Sequence, residues 1–221
     1  LLGSRAVRNV QLRKTRGSGA LSGRHECLID EAGMHVFPRL EALFSQPSQV
    51  AGGNVGRVTS GVPTFDEMLG GGLANGSVSL LIGPSGIGKS SLCLAFLGAS
   101  TAQAPGLHFG FYETPERLRS KAASLGYDFA AMEQSGSLQL CWQPTTEGLL
   151  DQVGARLLER VAALGSKRVV IDSLGAFSRL ATDPARLNAF FRALTGELRA
   201  RGVSVMLTWE MRDIFGSEIS A

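Results

Sequence analysis

From Val55 onward the apolar residues fall into two rhythms, short continuous runs and helical repeats, and the two alternate along the chain. Ser77–Ile82, Leu107–Tyr112, Leu138–Trp142, Arg168–Ile171 and Val203–Thr208 have the length and composition of strands, and the run at Ser77–Ile82 suits a buried one. Between them, Leu92–Leu97 continues a helix, and Thr114-Pro115 supplies the N-cap and first position of another. Leu150, Val153, Leu157, Val161 and Leu164 recur at helical spacing, with Gly165 as the stop. Asp183-Pro184 opens a helix carrying Leu187, Phe191, Leu194 and Leu198, which Gly202 closes. Thr64-Phe65-Asp66-Glu67 has capping-box spacing and predicts a short helix ending at Gly70-Gly71-Gly72. Such alternation predicts an α/β fold in which helices cover both faces of a mostly parallel sheet.

Residues 1–45 have a different texture. Val7–Thr15 and His25–Ile29 read as short strands, joined by the turn-rich Arg16-Gly17-Ser18-Gly19 and Ser22-Gly23. Asp30-Glu31-Ala32-Gly33 predicts a further turn before Met34–Phe37. The polar stretch Ser45–Asn54, with Pro47, Gly52 and Gly53, reads as a linker. The expected division is a β-rich piece over 1–45, a linker over 46–55 and a main domain over 56–221. The opening Leu1-Leu2-Gly3 lacks a methionine, which suggests a piece of a longer protein.

Composition narrows the function classes. A hydrophobic fraction of 44% with 19% charged residues describes an ordered globular chain. A formal charge of +3 over 221 residues argues against a broad surface for gripping nucleic-acid backbone. No apolar run reaches the roughly 18 residues that span a bilayer, so no membrane partner is expected. Cys27, Cys93 and Cys141 form no CxxC pair, which predicts reduced thiols in a cytoplasmic protein. His25, His35 and His108 have no partner at metal-ligand spacing and read as surface or satisfied core histidines.

One stretch carries specific chemistry. Gly83-Pro84-Ser85-Gly86-Ile87-Gly88-Lys89-Ser90 fits G-x-x-x-x-G-K-[ST] between a predicted strand and a predicted helix. Glycines are needed there because side chains would keep backbone N–H groups from closing around phosphate oxygens. Lys89 is expected to neutralise the β- and γ-phosphates, and Ser90 to offer its hydroxyl to Mg²⁺. The helix start, including Ser91, adds its positive dipole end. The ligands implied are ATP and Mg²⁺. Val169-Val170-Ile171-Asp172 places a carboxylate at a strand end, where Asp172 can hold a magnesium-bound water. Glu113 follows another strand and would face the same crevice, as a base for the attacking water or as a charge complementing the helix that begins at Pro115. Thr208 and Glu210, on the last strand, are candidates for sensing the γ-phosphate, Glu210 only through water or a cation.

With these residues in place the chain resembles the RecA-type ATPases, and specifically the KaiC-like family. The segments that carry the resemblance run from Val58-Thr59-Ser60-Gly61 through Phe65-Asp66-Glu67-Met68-Leu69-Gly70-Gly71-Gly72-Leu73 to Phe111-Tyr112-Glu113-Thr114-Pro115-Glu116-Arg117-Leu118 and Ile171-Asp172-Ser173-Leu174. They imply a three-layer RecA-type P-loop fold and a regulatory or signalling ATPase that forms a homo-oligomer, a hexameric ring, with regulatory protein partners. Lys14-Thr15-Arg16-Gly17 is similar to a segment near the end of each domain in double-domain relatives, and Asp30–Pro38 to the strand pair that closes it. By that likeness 1–45 is the end of a preceding RecA-like domain, and Lys14 and Arg16 reach the nucleotide of a neighbouring subunit at the upstream site. The ATPase domain, 56–221, would lack its own closing module, and the family's autophosphorylated Ser/Thr pair would lie beyond Ala221.

One departure concerns turnover. The family carries two adjacent glutamates after the second strand, and Tyr112 stands in the first place here. A tyrosine with a pKa of about 10 is no general base near neutrality. Hydrolysis is therefore expected to be slow or to rest on Glu113, with an ATP-binding assembly module as the competing reading. A DNA-dependent recombinase or helicase ranks third, because no basic loop interleaved with aromatics is present to stack single-stranded DNA.

Overall fold

The computed structural model describes residues 7–17, 19–46, 48, 56–144 and 148–211. At its centre lies a five-stranded parallel sheet of β6 (Val78–Gly83), β7 (Gly106–Gly110), β8 (Leu138–Trp142), β9 (Arg168–Asp172) and β10 (Ser204–Glu210). The spatial order is β6-β10-β9-β7-β8, with every neighbouring pair parallel. Parallel strands need crossover connections, and those connections are helices on both faces, as the alternation of runs and repeats predicted.

Side-chain alternation along the strands divides the core into two layers. On one face, Leu107, Phe109, Val169, Ile171, Val205 and Leu207 pack under α6 (Leu150–Leu164), α7 (Gly175–Leu180) and α8 (Leu187–Ala200). An aromatic cluster fills this layer, with Phe111 edge-on to Phe177 at 5.0 Å and Phe177 to Phe191 at 5.4 Å. On the other face, Val170, Met206, Leu138 and Leu140 pack under α3 (Lys89–Gly98), α4 (Pro115–Ser124) and α5 (Phe129–Gln134).

Element boundaries track the sequence where the local signal is strong. α6 covers Leu150–Leu164, and Gly165 ends it in the left-handed conformation at φ 67°. The Asp183-Pro184 start is a 3-10 turn over Pro184–Arg186, capped by the Asp183 side chain, before α8 proper begins at Leu187. The capping box at Thr64 does not form. The short helix α2 (Pro63–Met68) starts at Pro63, with Val62 at the cap position and no side-chain cap, so Thr64 lies inside the first turn; the Asp66 carboxylate accepts the Ser60 N–H at 2.8 Å and the Thr59 hydroxyl. The strand expected to be buried, β6, has one partner among the described residues and leaves Leu80 and Ile82 exposed. Arg57–Val58 (β4) pairs antiparallel with Leu73–Ala74 (β5) beside α2.

The N-terminal piece forms its own antiparallel sheet, β1 (Arg8–Val10), β2 (His25–Asp30) and β3 (Gly33–Phe37), followed by a single turn, α1 (Leu40–Leu43). It is joined to the main sheet's helices by burial and charge together. Leu40 is 1% exposed within the α6/α8 core layer, and its N–H donates to Asp151 Oδ1 at 3.1 Å. Arg186 reaches both Asp151 oxygens at 3.0 Å and pairs with Glu41 at 2.8 Å and 3.1 Å. Glu26 accepts the Asp151 N–H at 3.2 Å. Burial, with Asp151 adding to it, pushes the Glu26 carboxyl above its ordinary range. Burial also raises Asp151, against the pull of Arg186. Of the predicted linker, residues 47 and 49–55 lie outside the described residues, and Ser48 donates to Glu197 at 2.9 Å.

Candidate nucleotide site

The carboxyl ends of the parallel strands converge on one edge of the sheet, where open α/β folds form their ligand crevice. β6 ends at Gly83, and the chain turns through Pro84–Gly88 before α3 starts at Lys89. Gly86 and Gly88 hold φ of 82° and 98°, a region closed to most residues that lets successive N–H groups face one point. Lys89 Nζ donates to the Gly83 and Pro84 carbonyls, both at 2.7 Å, so its ammonium lies across the mouth of this cradle. Ser85, Ile87 and Ser91 are exposed, and Ser90 is half-buried on the first turn of α3. A run of glycines with open space at Gly86 and Gly88, an ammonium spanning the loop and a hydroxyl on the first helical turn fit a polyphosphate with a divalent cation.

Registry decides which side chains join the loop. β10 runs between β6 and β9, with Thr208 opposite Leu81, Leu207 opposite Ile171 and Glu210 opposite Gly83. Asp172 and Thr208 share the face that carries Val170 and Met206, the α3 side. The Thr208 hydroxyl, buried at 1% exposure, donates to Asp172 Oδ1 at 2.5 Å. A residue expected at the γ-phosphate thus has its hydroxyl committed to the acidic strand end. Glu210 ends β10 exposed beside the loop. Cys93, buried in α3 below the loop, has its thiol pushed up by burial and by Asp172, against the pull of Lys89.

Glu113 sits just past β7, whose last residue, Gly110, is in register with Asp172. One of its oxygens, Oε1, pairs with Lys121 Nζ at 2.6 Å, while Oε2 is buried and has no hydrogen-bond partner. Tyr112 turns outward, 50% exposed, with the Arg179 guanidinium 5.8 Å over its ring. Lys14 and Arg16 are exposed on the segment between β1 and β2, on a different sheet from the one that carries the loop.

Two residues were not singled out as partners in this site. Lys121 follows Glu113 by two helical turns, a spacing that could have raised it. His108, which the sequence reads as a surface or satisfied core histidine, is in the core at 2% exposure but is not satisfied: Nδ1 is buried without a partner. Its ring lies against Gly110, where an added methyl would fall 2.3 Å from Cε1. Burial pushes the imidazole below its ordinary range, opposed by Asp172 and Glu113. His25, in contrast, is paired at both nitrogens, to the Leu21 carbonyl at 3.0 Å and the Arg39 N–H at 3.1 Å. Among the described residues no cluster of His, Cys, Asp or Glu suited to holding a metal by itself is present, and no helix is long and apolar enough to cross a membrane.

Comparison with known proteins gives one consistent neighbourhood. The family described as "ATPase: KaiC" matches residues 58–220. The circadian clock oscillator protein KaiC of Acaryochloris marina is 32% identical over 219 residues, covering 98% of this chain and 41% of its own length. The circadian clock oscillator protein KaiC 1 of Synechocystis sp. is 32% identical over 210 residues, 94% of this chain and 39% of its own. That of Thermostichus vulcanus is 33% identical over 219 residues, with 98% and 41% covered. The chain spans about two fifths of the length of these relatives.

Proposed function

The chain belongs to the KaiC family of ATPases, and on that premise we propose that it binds ATP with magnesium on Gly83–Ser90 and hydrolyses it slowly through Glu113. The observation that carries this reading is the meeting of three strand ends, with the glycine cradle and Lys89 beside an Asp172 oriented by Thr208. The backbone N–H groups of the loop and the Lys89 ammonium hold the phosphates. Ser90 supplies a hydroxyl, and Asp172 a carboxylate acting through water, to magnesium, whose charge neutralises developing negative charge on the phosphate oxygens. Thr208 keeps the Asp172 carboxylate in one orientation. Glu113 accepts the proton of the attacking water.

Slow turnover follows from Tyr112. Where the resembling family carries a second glutamate, this side chain faces solvent under Arg179 and offers no base. That observation also supports the second reading, an ATP-holding assembly module that barely hydrolyses. Phosphate release in the parent and in Glu113→Gln separates the two. Release already at the uncatalysed level in the parent removes the enzyme reading, and binding that survives Lys89→Ala undiminished removes the site itself.

The family likeness extends the proposal to the whole protein. The named relatives are clock oscillator proteins, which supports a regulatory ATPase working in the cytoplasm as a hexameric ring with protein partners, with autokinase activity as a further assignment. In that ring 1–45 is the end of a preceding RecA-like domain, whose Lys14 and Arg16 serve a neighbouring subunit's nucleotide. Light scattering with and without Mg·ATP tests the assembly, and a nucleotide-independent monomer of the full protein would refute it.

A further inference from the structure

Glu113 is a lone carboxylate, and lone carboxylates at strand ends rotate freely unless something holds one oxygen. Here something does. Lys121 Nζ lies 2.6 Å from Oε1, and the other oxygen, Oε2, is left buried and unpartnered. The rest of the chain makes this pairing durable. α4 begins directly after Glu113, with Thr114 at the cap and Pro115 at the first helical position. The same helix carries Lys121 in its last turn, between Leu118 and Ala122, which are 2% and 0% exposed against the α3 core layer. The lysine backbone is therefore anchored while its ammonium, half exposed, reaches back two turns to the carboxylate. Tyr112 is stacked under Arg179 and takes no part.

The geometry points to Lys121 as a positioning residue for the reaction: by holding Oε1 it fixes the orientation of the Glu113 carboxylate. This rests on the reading of Glu113 as the general base. Stability is not the purpose of the pair, since solvent-exposed ion pairs add little to it. Orientation is, and small misplacement of a catalytic group is costly to rate. Lys121 is not on the phosphate loop, so nucleotide affinity should not depend on it.

The test is single-turnover and steady-state release of γ-labelled phosphate from Mg·ATP in the parent, Lys121→Met, Lys121→Arg and Glu113→Gln. Lys121→Met is expected to lower kcat about tenfold with KM within twofold, and Lys121→Arg to recover most of the loss. An unchanged or increased kcat in Lys121→Met while Glu113→Gln abolishes release overturns the positioning role and leaves Glu113 as the base. A Lys121→Arg variant as slow as Lys121→Met also overturns it, because the cation would then not be what matters. Parent-level release in Glu113→Gln is the separate outcome in which the base assignment fails and the inference with it.

Discussion

Asp151 joins two parts of the chain that the sequence keeps 111 residues apart, and its replacement by alanine is a sharp test of that joint. The side chain is fully buried, and it accepts the Leu40 N–H at 3.1 Å and Arg186 Nη2 at 3.0 Å on each oxygen. Removing it orphans a buried backbone donor and takes away one of the two carboxylates holding Arg186. Breaking a buried ion pair from one side costs about 3–5 kcal/mol. Two features reduce that figure: Arg186 keeps its double contact with Glu41, and burial already disfavours the Asp151 charge. The expected loss for Asp151→Ala is therefore about 2–3 kcal/mol. Asp151→Asn keeps an acceptor for Leu40 while losing the charge and one of the two oxygens that accept from Arg186, so it should cost about 1 kcal/mol less. Urea titration followed by circular dichroism reads both as shifts of the midpoint, and protease cleavage between β1 and β2 reports whether the N-terminal sheet has come loose. A shift worth under about 0.5 kcal/mol for Asp151→Ala would show that the joint contributes nothing. Equal losses for alanine and asparagine would show that the Leu40 hydrogen bond is not the interaction that matters.

Two further outcomes are expected. Glu26 has its carboxyl raised by burial and by Asp151, so its folded-state pKa exceeds its unfolded one; its contribution is full below the ordinary carboxylate range and is lost as pH rises through the folded value. Glu26→Gln mimics the protonated form and keeps an oxygen for the Asp151 N–H, so it should raise the melting temperature at pH 8 and lose that advantage towards pH 4; a uniform effect across pH would contradict the burial argument. Gly61 holds φ of 85° with its α-carbon against α3, where an added methyl would lie 2.1 Å from the Ala95 carbonyl oxygen. Gly61→Ala is expected to cost at least about 2 kcal/mol, and a melting temperature within a degree of the parent would show that this contact is not fixed in solution.

What was legible in the sequence was whatever local pattern carries. The repeat Leu150–Leu164 with its stop at Gly165, the strand Leu138–Trp142 and the glycine loop before Lys89 each depend on neighbours a few residues away, and each stands where it was read. The capping box at Thr64 failed for a reason of the same scale: Pro63, whose fixed φ suits a first helical position, starts the helix before Thr64. Sheet order was not legible, because a run of apolar residues fits several positions in a parallel sheet. Tertiary structure alone put β10 between β6 and β9, and so brought the Thr208 hydroxyl onto Asp172. It alone put His108 behind Gly110 and near two carboxylates, a placement that strand alternation allows but does not require. The joint of Glu26, Leu40 and Glu41 with Asp151 and Arg186 is likewise invisible to periodicity, which registers polar residues on a helix as solvent-facing. Local periodicity therefore determined the elements and the phosphate loop. Long-range registry and the pairing of buried charges decided which side chains meet around it.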